Sequence, residues 1–225
     1  MKPILFNTAM VRAILDGNKT CTRRIIKEEI PKEYKPLGFV LYPTDDKELG
    51  KLAFGGKGAN VHYAKPPYKA GDILYVRETW ANTWTPDGEE GFIYIADGKP
   101  KYFPYWGNAK HSKHEVWMPS IHMPKEAARI FLKVISVRAQ RLQDITEQEC
   151  FNEGIREFTK EGLVKKYDIE PNMHTWEKMP KTPREAFEKL WNSTVNVKTF
   201  NGWTNLFEFN HWVWVIEFEK IDIEK

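Results

Sequence analysis

The chain has 225 residues, a formal net charge of +3 and 41% hydrophobic residues. This composition supports a buried core and excludes wholesale disorder. The net charge is too small for a dedicated nucleic-acid binder, so any nucleic-acid site would have to depend on a local cluster of basic residues. The two cysteines, Cys21 and Cys150, exclude a disulfide framework. Because the chain also lacks a membrane-length apolar run and a signal-peptide pattern, we expect a cytoplasmic protein with no membrane partner.

The first predicted element is a short helix that begins at Asn7 or Thr8, both of which are good capping residues. Gly17 suits the left-handed position after its end. Residues 27–70 then mix charges with proline, glycine and tyrosine, which predicts an irregular insertion with one hairpin. The apolar face of the helix is formed by Met10, Val11, Ile14 and Leu15.

Four later segments predict strands. Residues 72–80 follow a turn and are rich in β-branched and aromatic side chains, and residues 92–95 share this composition. Residues 129–142 form a long strand candidate, and residues 212–218 alternate most cleanly between apolar and polar. We expect the first, third and fourth of these segments to pair in one sheet.

Two capping boxes predict helices in the second half of the chain. Thr146 and Glu149 open a short helix that runs to Gly154, and Thr182 and Glu185 open another. The strands are not separated by regular crossover helices, so the order of elements favours an α+β fold with a mixed or antiparallel barrel. Loop-like insertions are predicted at residues 27–70, 81–116 and 156–180.

The densest candidate site is the run from Gly17 to Arg24, which combines three cations with two hydroxyls. In an extended segment, alternate side chains point to opposite faces, which predicts one set with Thr20, Thr22 and Arg24 and another with Lys19, Cys21 and Arg23. A turn near Lys19 could return that side chain to the first set. An arginine fork matches a phosphate or a carbonyl edge, although a basic, solvated strand edge is an ordinary alternative.

Other candidates are single residues. Arg77 and Glu78 end a predicted strand, where a surface ion pair is the simpler interpretation. Glu153 lies near a helix C-terminus, where a carboxylate opposes the helix dipole and so hints at a use elsewhere. Trp84 and Trp106 lie in predicted loops and are candidates for stacking on a base.

No metal or cofactor is expected. His111, His114 and His122 do not recur with the spacing of a four-ligand site. The chain also lacks a glycine-rich phosphate loop of the Walker or dinucleotide type.

The run Gly17-x-Lys19-Thr20-x-Thr22-x-Arg24 resembles the early motif of the ASCH-domain family. The strand after Gly71-Asp72, the segment 117–124 and the Trp-Val-Trp-Val end also look like the longer ASCH proteins carried by phages and prophages. This resemblance implies a single domain over residues 1–225, built as a PUA-like mixed β-barrel with short flanking helices and long loop insertions.

Small ASCH proteins include amidohydrolases that remove the acetyl group from N4-acetylcytidine. The resemblance implies that their catalytic residues fall on Lys19, Thr22 and Glu153, which should then converge. We expect Thr22 to attack or to position water, Lys19 to activate that nucleophile and Glu153 to shuttle a proton. The ligand-binding candidates are Thr20, Arg23, Arg24, Arg77, Glu78, Trp84 and Trp106.

Three functions stay open at this point. The chain is an enzyme acting on an acylated nucleoside, a non-catalytic RNA-binding module, or a phage accessory protein that works through protein contacts. If it binds RNA, contacts from Lys19, Arg23 and Arg24 predict a log–log salt slope of about −2. If it is an enzyme, we expect Lys19→Ala and Glu153→Ala to abolish activity and leave folding nearly intact.

Overall fold

The structure is a computed structural model that describes residues 1–58, 60–84, 90–98, 117–171, 173–194 and 206–223, with the backbone alone for Trp84 and Glu90. In chain order the elements are β1 (Lys2–Leu5), α1 (Thr8–Leu15), β2 (Cys21–Ile25), β3 (Lys35–Phe39), β4 (Leu52–Gly55), β5 (Val61–Ala64), β6 (Ile73–Arg77), β7 (Trp80–Trp84), β8 (Glu90–Tyr94), β9 (Phe131–Arg141), α2 (Glu147–Asn152), β10 (Arg156–Lys160), β11 (Val164–Asp168), α3 (Pro183–Thr194) and β12 (Trp212–Ile221). The fold is α+β, as the sequence predicts.

The central sheet has the strand order β1–β6–β9–β12–β2. β1 and β6 are parallel, and the other neighbours are antiparallel. The predicted pairing of the strands near residues 72–80, 129–142 and 212–220 is confirmed, since β9 lies between β6 and β12. β1 was not predicted, because four residues at the start of the chain carry too little pattern to indicate a strand.

A closed barrel is not seen in the described residues, where the edge strands β1 and β2 share no backbone ladder. The side chain of Arg24 bridges them instead, with Nη2 donating to the carbonyl oxygen of Leu5 at 2.9 Å. Opposite edges of a flat five-stranded sheet would lie about 19 Å apart. The sheet must therefore be strongly curled, and one side chain spans the remaining gap.

The core fills both faces of the curled sheet. The middle of β12 is buried on both sides, and α1 and α3 supply further apolar side chains. Asn7 caps α1 by accepting a hydrogen bond from the backbone N–H of Met10 at 2.8 Å, so the first of the two predicted caps is the one used. No helix among the described residues is long and apolar enough to cross a membrane.

The insertions are more regular than the sequence predicts. Residues 27–70 contain the three-stranded antiparallel sheet β3–β4–β5 rather than an irregular segment with one hairpin. Residues 156–180 contain the hairpin β10–β11, and the described part of 81–116 contains the hairpin β7–β8. The glycines misled the prediction because two of them serve close packing: a Cβ added at Gly55 or Gly56 would lie 2.7 Å from the side chain of Leu37 or Tyr34.

The end of α2 brings a second part of the chain against α1. The predicted capping box of Thr146 and Glu149 is present. After Glu153 the chain turns at Gly154, whose φ of +102° is a conformation that L side chains rarely adopt. A Cβ at this position would lie 3.0 Å from Cβ of Ala13. Gly154 thus permits both the turn and the close approach.

We predict that Gly154→Ala lowers the free energy of unfolding by about 2 kcal/mol or more, because it combines backbone strain with a contact that is too short. Gly162→Ala is the matched control, since Gly162 also has a positive φ of +71° but open space around its Cβ position. The measurement is urea denaturation of both variants. Equal decreases in the free energy of unfolding for the two variants would show that the close approach of Gly154 to Ala13 does not contribute to stability.

Candidate functional site

Backbone hydrogen bonds join the motif after α1 to the end of α2. The N–H of Lys19 donates to the carbonyl of Ala13 at 3.0 Å, which turns the chain out of α1. The N–H of Thr20 then donates to the carbonyl of Asn152 at 2.9 Å, and Lys19 forms an isolated antiparallel bridge with Glu153. The two segments therefore meet in register although they are 134 positions apart.

The Glu153 carboxylate lies between two cations. Its Oε2 accepts from Nζ of Lys19 at 2.6 Å and its Oε1 accepts from Nη1 of Arg23 at 3.0 Å. Lys19 also donates to the backbone carbonyl of Glu153 at 2.9 Å. The side chains are nearly inaccessible, with 0% of Lys19, 1% of Arg23 and 3% of Glu153 exposed. Pairing of this quality offsets the large penalty of burying charge.

Arg23 connects this pair to a second carboxylate on α2. Its Nη2 lies 3.2 Å from Oε2 of Glu149 and donates to Oε1 of Gln140 at 2.9 Å. Arg138 holds the other oxygen of Glu149. The sheet register explains this meeting, because Arg23 and Arg138 both pair with Val215 of β12 and so lie in one cross-strand row.

The charged groups shift each other's ionisation. Burial alone would lower the pKa of Arg23, but Glu153, Cys21 and Glu149 raise it above its ordinary value. Burial by itself would raise the pKa of Glu149. The hydrogen bond from the Thr146 N–H and the charges of Arg23 and Arg138 outweigh burial, so the pKa of Glu149 lies below its ordinary value. Burial and the nearby Glu153 raise the pKa of Cys21 to about 12. The Cys21 thiol is therefore un-ionised at neutral pH and unsuited to act as a nucleophile.

The opposite face of β2 presents Thr22 and Arg24, as the alternation predicts. Nη1 of Arg24 donates to Oγ1 of Thr22 at 2.9 Å and to the carbonyl of Arg23 at 3.0 Å. Burial lowers the pKa of Arg24. The ring of Phe6 lies near both cations, with its centroid 5.7 Å from Nζ of Lys19 and 5.3 Å from Cζ of Arg24.

A cavity of about 870 Å³ opens beside β2. Thr22, Arg23, Arg24 and Glu153 contribute to its wall, whereas Lys19 does not line it. α1 and α3 supply an apolar wall that includes Met10, Phe187, Leu190 and Trp191. The cavity has the size and mixed lining of a small-molecule site.

The structure does not bring every predicted ligand-binding residue to this cavity. Thr20 is exposed and lines a separate, shallower depression of about 500 Å³. Arg77 donates to the carbonyl of Ile121 at 3.2 Å. Glu78 is 1% exposed and is held by Arg129 through contacts of 2.9 and 3.1 Å. Neither residue lines the cavity, and the surface ion pair between them is not formed.

The stacking candidates cannot be placed in this site. Trp106 and the side chain of Trp84 lie outside the described residues, as do His111 and His114. Among the residues that are described, no group of three histidine, cysteine, aspartate or glutamate side chains is placed to hold a metal ion.

Several site residues were missed by the sequence analysis. Glu149 was recognised as a cap but not as a partner of Arg23, although its spacing of four positions from Glu153 indicates a shared helix face. Gln140 and Arg138 lie on a predicted strand without any local signal. Phe187 and Trp191 lie on the helix predicted to begin at Thr182, and only the packing of α3 places them at the cavity.

Comparisons with protein-family models, with curated proteins and with solved structures found no match. The resemblance to the ASCH-domain family stays a prediction.

We predict that Glu149→Gln destabilises the protein at neutral pH and that its difference from wild type shrinks below about pH 4.5. A carboxyl whose pKa is lowered by folding stabilises the native state above its unfolded pKa, and this stabilisation disappears as pH falls through the folded pKa. Glu147→Gln, on the exposed side of the same helix, is the control. Urea denaturation between pH 3 and 7 measures the difference in the free energy of unfolding between each variant and wild type. A difference for Glu149→Gln that does not change with pH would contradict the prediction.

Proposed function

We propose that the protein binds a nucleoside, free or within RNA, in the cavity beside β2 and hydrolyses an acyl group from its base. N4-acetylcytidine is the first compound to test. The observation that supports this proposal is the buried Lys19–Glu153 pair, whose Glu153 shares the wall of an 870 Å³ cavity with Thr22. The resemblance to ASCH amidohydrolases assigns catalysis to these three residues.

The lining suits a flat ligand with hydrogen-bond acceptors. Phe187 and Trp191 offer aromatic surface to a base. Arg24 and Lys27 bring positive charge to the wall, and Lys27 is exposed. Arg23 is buried, whereas Arg24 is half-buried and Lys27 is exposed, so Arg24 and Lys27 are the better partners for a carbonyl or phosphate oxygen.

Amide hydrolysis adds water to the acyl carbon and breaks the carbon–nitrogen bond, releasing a carboxylic acid and a free amine. Thr22 would attack the carbonyl or hold the water, and the N–H of Arg24 on its Oγ1 would favour negative charge on that oxygen. A proton from the nucleophile would reach the leaving nitrogen through Lys19 and Glu153, which are joined by a hydrogen bond of 2.6 Å.

A non-catalytic RNA-binding module is the second candidate. Both carboxylate oxygens of Glu153 already accept from cations, and the Lys19 side chain is 0% exposed. A purely structural pair would make the same contacts. In that case the cavity would bind a base without reacting with it, and Arg24 and Lys27 would contact the backbone.

Burial changes which variants can test catalysis. The expectation that Lys19→Ala and Glu153→Ala leave folding nearly intact assumed exposed residues, and this assumption is wrong because both residues are only 2% exposed. Removal of one partner from a buried ion pair leaves an uncompensated charge and destabilises proteins by about 3–5 kcal/mol. Loss of activity in these variants would not separate chemistry from unfolding.

Thr22 offers a cleaner test, because it is also buried, at 1% exposed, but carries no charge that a substitution would leave unpaired. We predict that the wild-type protein releases cytidine from N4-acetylcytidine, that Thr22→Val lowers kcat at least about 100-fold, and that Thr22→Ser retains part of it, since only the hydroxyl is needed. Thr20→Val is the matched control at an exposed position outside the cavity. Chromatography of the products and thermal melts of each variant are the measurements.

Binding without turnover would contradict the enzyme proposal. If the wild-type protein binds acyl nucleosides but leaves a panel of them unchanged, the non-catalytic binding module becomes the better account. Equal activity of Thr22→Val and wild type would exclude Thr22 from the reaction.

The binding candidate has its own prediction. Lys19 and Arg23 are too buried to contact phosphates, which leaves Arg24 and Lys27 at the cavity. Two phosphate contacts give a log–log salt slope of about −1.4 for single-stranded RNA, rather than the −2 or so expected from the sequence. Lys27→Ala should reduce the slope to about −0.7, whereas Lys220→Ala, exposed and outside the cavity, should not change it. Fluorescence anisotropy with short labelled RNAs measures both slopes, and a slope insensitive to Lys27 would contradict the prediction.

A further inference from the structure

We infer that Arg23 is a positioning residue, which holds the Glu153 carboxylate against Lys19 while Glu149 and Gln140 hold Arg23 itself. The consequence for catalysis rests on the proposed function, but the arrangement of charges can be tested without any substrate. Three residues hold or are held by Arg23: Gln140 on β9, and Glu149 and Glu153 at α2. Lys19, beside β2, holds Glu153 from its other carboxylate oxygen.

The contacts of Arg23 point to this role rather than to ligand binding. Its Nη1 donates to Oε1 of Glu153 at 3.0 Å, with Sγ of Cys21 at 3.8 Å as a second neighbour. Its Nη2 donates to Gln140 at 2.9 Å and lies 3.2 Å from Glu149. The side chain is 1% exposed. Both terminal nitrogens are therefore occupied by protein groups, although the residue contributes to the cavity wall.

The motif that resembles ASCH proteins does not specify this position. In the run Gly17-x-Lys19-Thr20-x-Thr22-x-Arg24, Arg23 occupies the last unspecified place. The contacts between Arg23 and the two carboxylates of α2 are thus a property of this chain, which the resemblance alone would not reveal.

Charge balance explains what Arg23 does to Glu153. Three cations face two carboxylates, Glu149 and Glu153, which lie four positions apart at one side of α2: Lys19 contacts Glu153, Arg138 contacts Glu149, and Arg23 contacts both. Without Arg23, the two carboxylates would repel each other, and Lys19 would be the one remaining cation in direct contact with Glu153 among the described residues. A carboxylate that loses a cation and keeps a like-charged neighbour takes up its proton at higher pH.

The other groups that act on Glu153 come from the elements packed around it. The charged or titratable neighbours are Lys19, Cys21, Arg23, Arg24, Glu149 and Cys150. Both thiols have their pKa raised to about 12, with burial as the main cause, so they carry no charge near neutral pH. The change on removing Arg23 would therefore be controlled by the remaining cations and by Glu149.

The test is a titration of the substrate-free protein labelled with ¹³C at glutamate carboxyls, with the Glu153 signal assigned by through-bond NMR experiments on the folded wild-type protein and variants. In Arg23→Gln, the midpoint of the Glu153 signal should move up relative to wild type, because the carboxylate loses one of its two cations. Arg23→Lys keeps the charge but lacks the fork that reaches two carboxylates, so its midpoint should move less. Arg156→Gln, which removes an exposed pairing with Asp16, is the control and should leave the midpoint unchanged.

Activity on N4-acetylcytidine provides the second measurement. Arg23→Gln should lower kcat by about 10- to 100-fold with a much smaller change in KM, as expected when a reacting group is displaced. In the pH profile of kcat for Arg23→Gln, the acidic limb should move to higher pH together with the NMR midpoint. Arg23→Lys should retain more of the wild-type kcat than Arg23→Gln does. A structural role alone would lower activity in proportion to the unfolded fraction and leave the limb in place.

Each result separates the two proposals. An unchanged Glu153 midpoint in folded Arg23→Gln overturns the positioning role, whatever the activity. If that variant does not fold, Arg23→Lys takes its place, and a midpoint equal to wild type overturns the role. A shifted midpoint together with a wild-type protein that hydrolyses no acyl nucleoside supports the arrangement of charges and contradicts the proposed reaction.

Discussion

The carboxylate of Glu153, enclosed by Lys19 and Arg23 and nearly cut off from water, is the interaction on which the site depends. Each ion taken from water carries a penalty of several kcal/mol, so all three must keep their partners in the native state. That requirement extends outwards, because Arg23 needs Glu149 and Glu149 in turn holds Arg138. The end of α2 is thereby locked against β2, and the cavity wall cannot shift without breaking several buried contacts.

The curled sheet makes this arrangement possible. β12 pairs with β2 on one side and with β9 on the other, which places Arg23 and Arg138 in one row under α2. Arg24 spans the gap between the edge strands by its hydrogen bond to Leu5. Adjacent arginines of β2 thus have different tasks: Arg23 balances buried carboxylates, and Arg24 joins the sheet edges and contacts Thr22.

The two functional candidates differ mainly on the face of β2 that carries Thr22. A buried ion pair is compatible with an enzyme and with a binding module, because the same contacts can be structural. A hydroxyl beside an arginine N–H at a cavity wall, in contrast, has a specific use in acyl transfer. Thr22 is therefore the residue at which the two candidates can best be distinguished.

The sequence by itself determined the local features: the cap at Asn7, the capping box of Thr146 and Glu149, the main strands and the alternation along β2. These depend on neighbours within about four positions, so periodicity and side-chain chemistry are sufficient. Lys19 and Glu153 were candidates from the local sequence, and a family resemblance predicted that they converge, but the contacts of Arg23 and the regular sheet within residues 27–70 were not foreseen. Only the tertiary structure decided these, because an ion-pair partner more than a hundred positions away is set by strand register and helix packing rather than by local sequence.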